Sequence, residues 1–156
     1  MTMKTLVAAG LALAIGGGAA AQSPAQNPEQ ARFMTAKALN GLVDTLVNGL
    51  ASTPVPTGSN ATVLMAHRDR DGEVEVHTKL ADELIMREGH ARLQVGGTVT
   101  GQHPTTANEF RGGTLTGGTV YDFNPGDVIY IPVGMPHQML VPKGTTVTYM
   151  AVKFPG

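Results

Sequence analysis

The chain has 156 residues, of which 20 are Gly and 10 are Pro; only 15% are charged and 4% aromatic. That length suits one domain, and abundant Gly with few charges favours a turn-rich β protein over a helical bundle. A formal net charge of −1 with no Lys/Arg run gives no electrostatic support for a nucleic-acid or anionic-membrane partner, and the absence of Cys excludes disulfides, thiolate nucleophiles and Cys-type zinc or iron–sulfur sites.

Residues 1–21 read as a signal peptide. Lys4 provides a short positive region, Thr5 to Ile15 an apolar run too short to span a bilayer, and Ala19 with Ala21 the small-residue pattern that predicts cleavage after Ala21. The alternative is a retained N-terminal anchor. The implied location is the periplasm, with no membrane association after cleavage. Residues 22–57 read as a helix and linker. Asn27 and Pro28 form a helix start, and Leu39, Leu42, Val43, Leu46, Val47 and Leu50 recur on one apolar face, which predicts a helix packed against the outside of the following domain. Pro54 and Pro56 then end the helix and begin a linker.

From residue 58 to 156 the pattern switches to period two. Strands are predicted at Thr62–His67, Glu73–Lys79, Leu84–Arg87, Ala91–Val95, Val120–Phe123, Val128–Ile131, Gln138–Val141 and Thr146–Phe154, with Asp71-Gly72 as a turn. Gly96 to Gly118 is Gly/Thr-rich with no strong period. Short strands separated by frequent turns predict an all-β sandwich or barrel. In Glu73–Lys79, Val74 and Val76 oppose Glu73, Glu75 and His77. His77 and Lys79 share a face by the same rule.

Two motifs stand out. One is His77-Thr78-Lys79-Leu80-Ala81-Asp82-Glu83 followed by Gly89. The other is Gly126-x5-Pro132-x-Gly134-x2-His137. From Thr62 to Phe154 the chain resembles the cupin superfamily on these motifs. The second matches through His137, with Val141 where the family often has Asn; in the first, Lys79 stands at the second His of the family's His-x-His. The resemblance implies a double-stranded β-helix (a jelly-roll barrel) preceded by one N-terminal α-helix, with His137 facing the interior. It also implies a metal centre on His77, Glu83 and His137. Two imidazoles and a carboxylate suit a divalent first-row metal ion (Fe, Mn, Ni, Cu or Zn) with positions left open for substrate.

Lys79 complicates that centre, because an ammonium donates only and repels a metal. It is neutral, swings away, or replaces the metal by pairing with Glu83 or an anionic substrate. Asp82 is the alternative carboxylate if the register shifts by one. Lys79 and Arg87 are the candidate catalytic residues, to orient an anionic substrate or move a proton. His67, His90 and His103 read as surface or loop positions; Met86, Met135, Met139 and Met150, with Tyr121, Phe123 and Tyr130, read as packing residues.

Two functions follow. One is a metal-dependent enzyme of dioxygenase, isomerase or lyase type acting on a small organic molecule. The other is a non-catalytic or metal-free cupin that binds a small anion or sugar acid. Cupins commonly pair through their sheets, so a homodimer is expected.

Overall fold

The computed structural model describes residues 33–44, 50–55 and 61–156. Residues 1–32, and with them the signal peptide and the Asn27-Pro28 helix start, lie outside the described residues, as do Leu46, Val47 and Pro56. The described helix α1 spans Ala36–Asp44. Thr35 caps it, since its Oγ1 accepts the Ala38 N–H at 3.1 Å.

The strands are β1 (Leu50–Val55), β2 (Thr62–Arg68), β3 (Glu75–His77), β4 (Leu80–Glu88), β5 (Ala91–Val95), β6 (Thr98–Thr100), β7 (His103–Thr106), β8 (Glu109–Arg111), β9 (Thr114–Thr116), β10 (Thr119–Phe123), β11 (Val128–Ile131), β12 (His137–Leu140) and β13 (Val147–Pro155). They form a five-stranded sheet, β1-β2-β13-β4-β11, and a six-stranded sheet, β10-β5-β12-β3-β8-β7, with a two-stranded ribbon β6-β9. Neighbours pair antiparallel throughout. The expected all-β jelly-roll architecture with a preceding helix is thus present.

Alternation decides what each strand buries. Ala66, Leu84, Met86, Tyr149 and Ala151 of one sheet meet Leu93, Val95, Phe123 and Met139 of the other in a single core. On the opposite side of β2, Met65 is fully buried, on the strand against which α1 packs. The helix therefore covers the outer face of the five-stranded sheet, as its apolar periodicity predicts.

Two segments differ from the sequence expectation. Residues Leu50–Val55 do not continue the helix or form a linker. They make the outermost strand, paired along β2 from Leu50↔Arg68 to Val55↔Val63. An open sheet edge offers a row of backbone hydrogen bonds that helical periodicity cannot match, and Pro54 is tolerated because an edge strand needs no donor on its free side. The second segment is Gly96–Gly118, which holds four short strands. Gly96-Gly97 and Gly117-Gly118 stand at facing bends of one ribbon, and Gly101 and Gly112-Gly113 at the next pair of bends, all with positive φ. The bends break period two and hide the strands from a periodicity reading.

These bends set different demands on their glycines. A Cβ on Gly113 would collide with the Thr100 carbonyl oxygen, whereas one on Gly134 would meet open space. Both carry the left-handed backbone, at φ +81 and +78. Gly134→Ala should cost only the conformational penalty, about 1–2 kcal/mol, and Gly113→Ala distinctly more. Urea unfolding midpoints of the two variants measure the difference.

Candidate metal centre and its lysine

The interior between the sheets is apolar except at one end. There β3 turns Glu75 and His77 inward together, being two residues apart. The β11–β12 connection brings His137 directly opposite Glu75. Its turn is anchored by the Gly134 N–H, which donates to the His77 carbonyl at 2.7 Å, so the two motifs are tied through the backbone. From the facing sheet, β4 supplies Asp82 and β13 supplies Lys153. His77, Asp82 and His137 are 4%, 2% and 5% exposed.

The contacts form one network. Lys153 Nζ donates to Asp82 Oδ1 at 2.9 Å and Oδ2 at 2.8 Å, and lies 2.7 Å from His77 Nε2. Asp82 Oδ2 is also 3.2 Å from His77 Nε2 and 3.5 Å from His137 Nε2. Behind His77, Glu75 sits 3.5 Å from Nε2 and takes both terminal nitrogens of Arg111, at 3.0 and 3.1 Å, with Arg68 at 3.4 Å. Arg68 in turn donates to the Tyr149 hydroxyl at 2.7 Å. Met135 offers a carbonyl to His137 Nδ1 at 3.2 Å. A carbonyl only accepts, so Nδ1 carries the hydrogen and Nε2 faces Asp82.

Charge is strongly biased here. Burial alone would raise the Glu75 carboxyl, but the His77 hydrogen bond and the charges of Arg111, His137 and Lys153 hold it down at about 2. Burial would likewise raise Asp82, yet hydrogen bonds from His137 and His77 and the Lys153 charge hold it far below the usual carboxylate range. Burial opposes charge on His77, but the Asp82 and Glu75 carboxylates outweigh it and push the imidazole up to about 9, with Lys153 opposing them. Only one hydrogen fits on the 2.7 Å line between Lys153 Nζ and His77 Nε2.

The expected site residues separate into two groups. His77, His137 and the alternative carboxylate Asp82 come together. Glu83 does not join them: in β4, Asp82 alternates inward with Leu84 and Met86, while Glu83, Ile85 and Arg87 face outward. Arg87 lies against the outer face, its Nη1 3.9 Å from Met150 Sδ. Lys79 is exposed, because β3 ends at His77 and the bend at Thr78-Lys79 breaks the alternation that would have paired the two side chains. Of the other histidines, His67 bonds Thr148 Oγ1 at 3.1 Å and His90 bonds Asn124 Oδ1 at 2.9 Å, while His103 is exposed. Phe123 is core, whereas Tyr121 and Tyr130 are about half exposed, at 46% and 56%.

Sequence reasoning missed Glu75, Arg111 and Lys153. Glu75 was within reach, since its alternation with His77 was visible. With Glu75 and His77 as the paired positions, four residues lead to Asp82 and six more to Gly89, so the first motif begins two residues earlier than its histidine suggests. Lys153 carried no local signal, and Arg111 lies in the stretch where no strand was predicted.

No family model and no curated protein matches the sequence. Solved structures do match. A double-stranded β-helix protein from Klebsiella pneumoniae, 16% identical, superposes with a TM-score of 0.57 over 81% of this chain and 92% of that one. A cupin-2 domain protein from Rhodospirillum rubrum, 14% identical, gives 0.51 over 68% of this chain and 60% of that one. The fold is the cupin fold. A Thermus thermophilus protein, 16% identical, matches at 0.52 over 72% and 93%. At these identities the likeness concerns fold alone, and this chain spans only about three fifths of the Rhodospirillum rubrum protein.

A cupin barrel invites a metal, and the donor types suit one. Glu75, His77 and His137 offer ligand atoms within 4.8 Å of one another. Asp82 lies 3.2 and 3.5 Å from the two imidazole nitrogens, close to the roughly 3.0–3.4 Å between neighbouring donors on an ion with bonds of about 2.1 Å. The arrangement nevertheless does not fit an ion as it stands. Lys153 takes the His77 Nε2 and both Asp82 oxygens, and Arg111 takes both Glu75 oxygens. An ammonium and a divalent ion about 3 Å apart repel by roughly 10 kcal/mol at an effective dielectric of about 20.

The shifts fix how stability varies with pH. His77 is raised, so its contribution is complete below about pH 6.5 and lost as pH climbs through 9. Glu75 is lowered, so its contribution is complete above about pH 4.5 and lost as pH falls towards 2. Thermal melts from pH 6 to 10 should show a declining Tm for the wild type and a distinctly flatter profile for His77→Gln.

Proposed function

We propose that this cupin barrel binds a small organic acid in the cavity beside the Lys153 network, without needing a metal. One observation carries the reading. A cavity of about 80 Å³ opens between the sheets, lined by Arg68, Arg111 and Lys153 together with Leu64, Leu93 and Met139. Such a space takes a few heavy atoms. Three cationic donors suit a carboxylate head, and the aliphatic wall suits a short hydrocarbon body. Of the three carboxylates in the wall, Asp82 is paired with Lys153 and Glu75 with Arg111, while Glu73 is exposed to solvent.

The observation that Glu75, His77 and His137 hold ligand atoms within 4.8 Å supports a second reading, a metal-dependent enzyme of dioxygenase, isomerase or lyase type. That reading requires Lys153 to leave its partners. Under either, the protein is proposed to be exported to the periplasm and to act on a small molecule. It is also proposed to pair as a homodimer at the open edges β10 and β11, where Val120, Tyr121, Val128 and Tyr130 are exposed. Light scattering at micromolar concentration should give twice the chain mass.

The binding reading is tested by thermal shift on EDTA-treated protein. Short-chain carboxylates should raise Tm by several degrees at saturation, and the corresponding amides should not. Ala151→Leu, which fills the cavity from β13, should abolish the shift while leaving the β-sheet spectrum unchanged. Equal shifts from acids and amides would defeat it.

A further inference from the structure

The mismatch between a metal-type donor set and its lysine has a consequence beyond ligand binding. Asp82 is almost wholly buried: Lys153 donates to both its oxygens, and the Nε2 atoms of His77 and His137 lie 3.2 and 3.5 Å from Oδ2. A cation is required where these groups converge, because a buried carboxylate without one is very costly. Lys153 meets that requirement from within the chain. It reaches the spot from β13 as the residue two beyond Ala151, itself buried and facing the cavity. Lys153 holds the position at 2.7 Å from His77 and at 2.8 and 2.9 Å from the Asp82 oxygens, longer than the coordination bonds a metal would make at the same donors.

We propose that Lys153 is the resident cation of this barrel: it occupies the donor set of His77, Asp82 and His137, keeps divalent metal out, and covers a metal site that one substitution opens. Removing the ammonium frees the His77 Nε2 and both Asp82 oxygens at once. His137 Nε2 already points there, since its other nitrogen is committed to Met135. Two imidazoles and a carboxylate then face a common point, a set suited to Zn²⁺ or Co²⁺. Glu75 remains held by Arg111 and is not needed as a ligand.

The test compares the untagged full chain with Lys153→Met and Lys153→Arg. Each is dialysed against Zn²⁺, and bound metal is counted; Co²⁺ titration then reads the visible ligand-field absorption. The wild type and Lys153→Arg should retain under a tenth of an equivalent. Lys153→Met should retain near one, bind Zn²⁺ at least a hundredfold more tightly than the wild type, show Co²⁺ bands, and gain Tm on adding Zn²⁺. Lys153→Met combined with His137→Ala should lose the gain. If Lys153→Met folds only with Zn²⁺ present, recovery of its β-sheet spectrum is the same positive result. If it folds under neither condition, Lys153→Met/Asp82→Asn relieves the unpaired charge, and metal uptake on the remaining imidazoles then counts for the proposal and its absence against. A wild type that takes a full equivalent at micromolar Zn²⁺, with no tightening in Lys153→Met, overturns it. Carboxylate binding is measured in EDTA and stands or falls separately.

Discussion

The structure turns on one buried carboxylate. Asp82 lies between the two sheets at 2% exposure, and a charge there must be answered. Its partners come from both sides. Lys153 belongs to the same sheet, while His77 and His137 belong to the facing one. The pairing thereby spans the sandwich. Arg68 and Glu75 make a second cross-sheet link at 3.4 Å. Such networks add little net stability compared with an apolar core, but breaking them from one side is expensive. Their effect is to set which residues of the two sheets stand opposite each other.

That constraint divides the interior. At the apolar end, Leu93, Met86 and Phe123 pack with almost no exposure, and the sheets close on each other. At the polar end, side chains committed to hydrogen bonds cannot slide together to fill space. The cavity lies along this boundary. A ligand there meets both rigid donors and hydrocarbon, a wall with little reorganisation left to do.

How far the sequence revealed this depends on what kind of signal each residue carried. The sheet strands from β2 to β5 and β10 to β13 were readable, since alternation and turn residues are local. The bent ribbon from β6 to β9 was not, because paired glycines reset the alternation at each bend. His77 and His137 were readable through their motifs. Asp82 was open only as an alternative to Glu83, because choosing between adjacent residues needs the strand start, and β4 begins at Leu80. Glu75 was missed, although its parity with His77 puts both side chains on one face. Lys153 could not be found locally: it lies 71 residues from Asp82 in the chain, and only sheet pairing of β13 with β4 joins them. The expectation that a lysine stands at the site attached to Lys79, whose strand ends too early to point it inward, whereas the lysine that reaches Asp82 is Lys153.

A fixed ammonium and a metal ion are not equivalent ways to answer Asp82. A metal has coordination positions to spare and can polarise or activate what binds there. Lys153 has no open valence. It can only donate hydrogen bonds. On the proposal that Lys153 is the resident cation, the centre holds polar groups by hydrogen bonding alone. The 2.7 Å contact with His77 also ties Lys153 to the opposite sheet, so anything that pulls Lys153 towards the cavity disturbs His77, and through His77 the Glu75–Arg111 pair. Occupancy of the cavity and the internal charge network are therefore coupled through one lysine side chain. The same cation that stabilises the empty barrel forms part of the wall a ligand must meet.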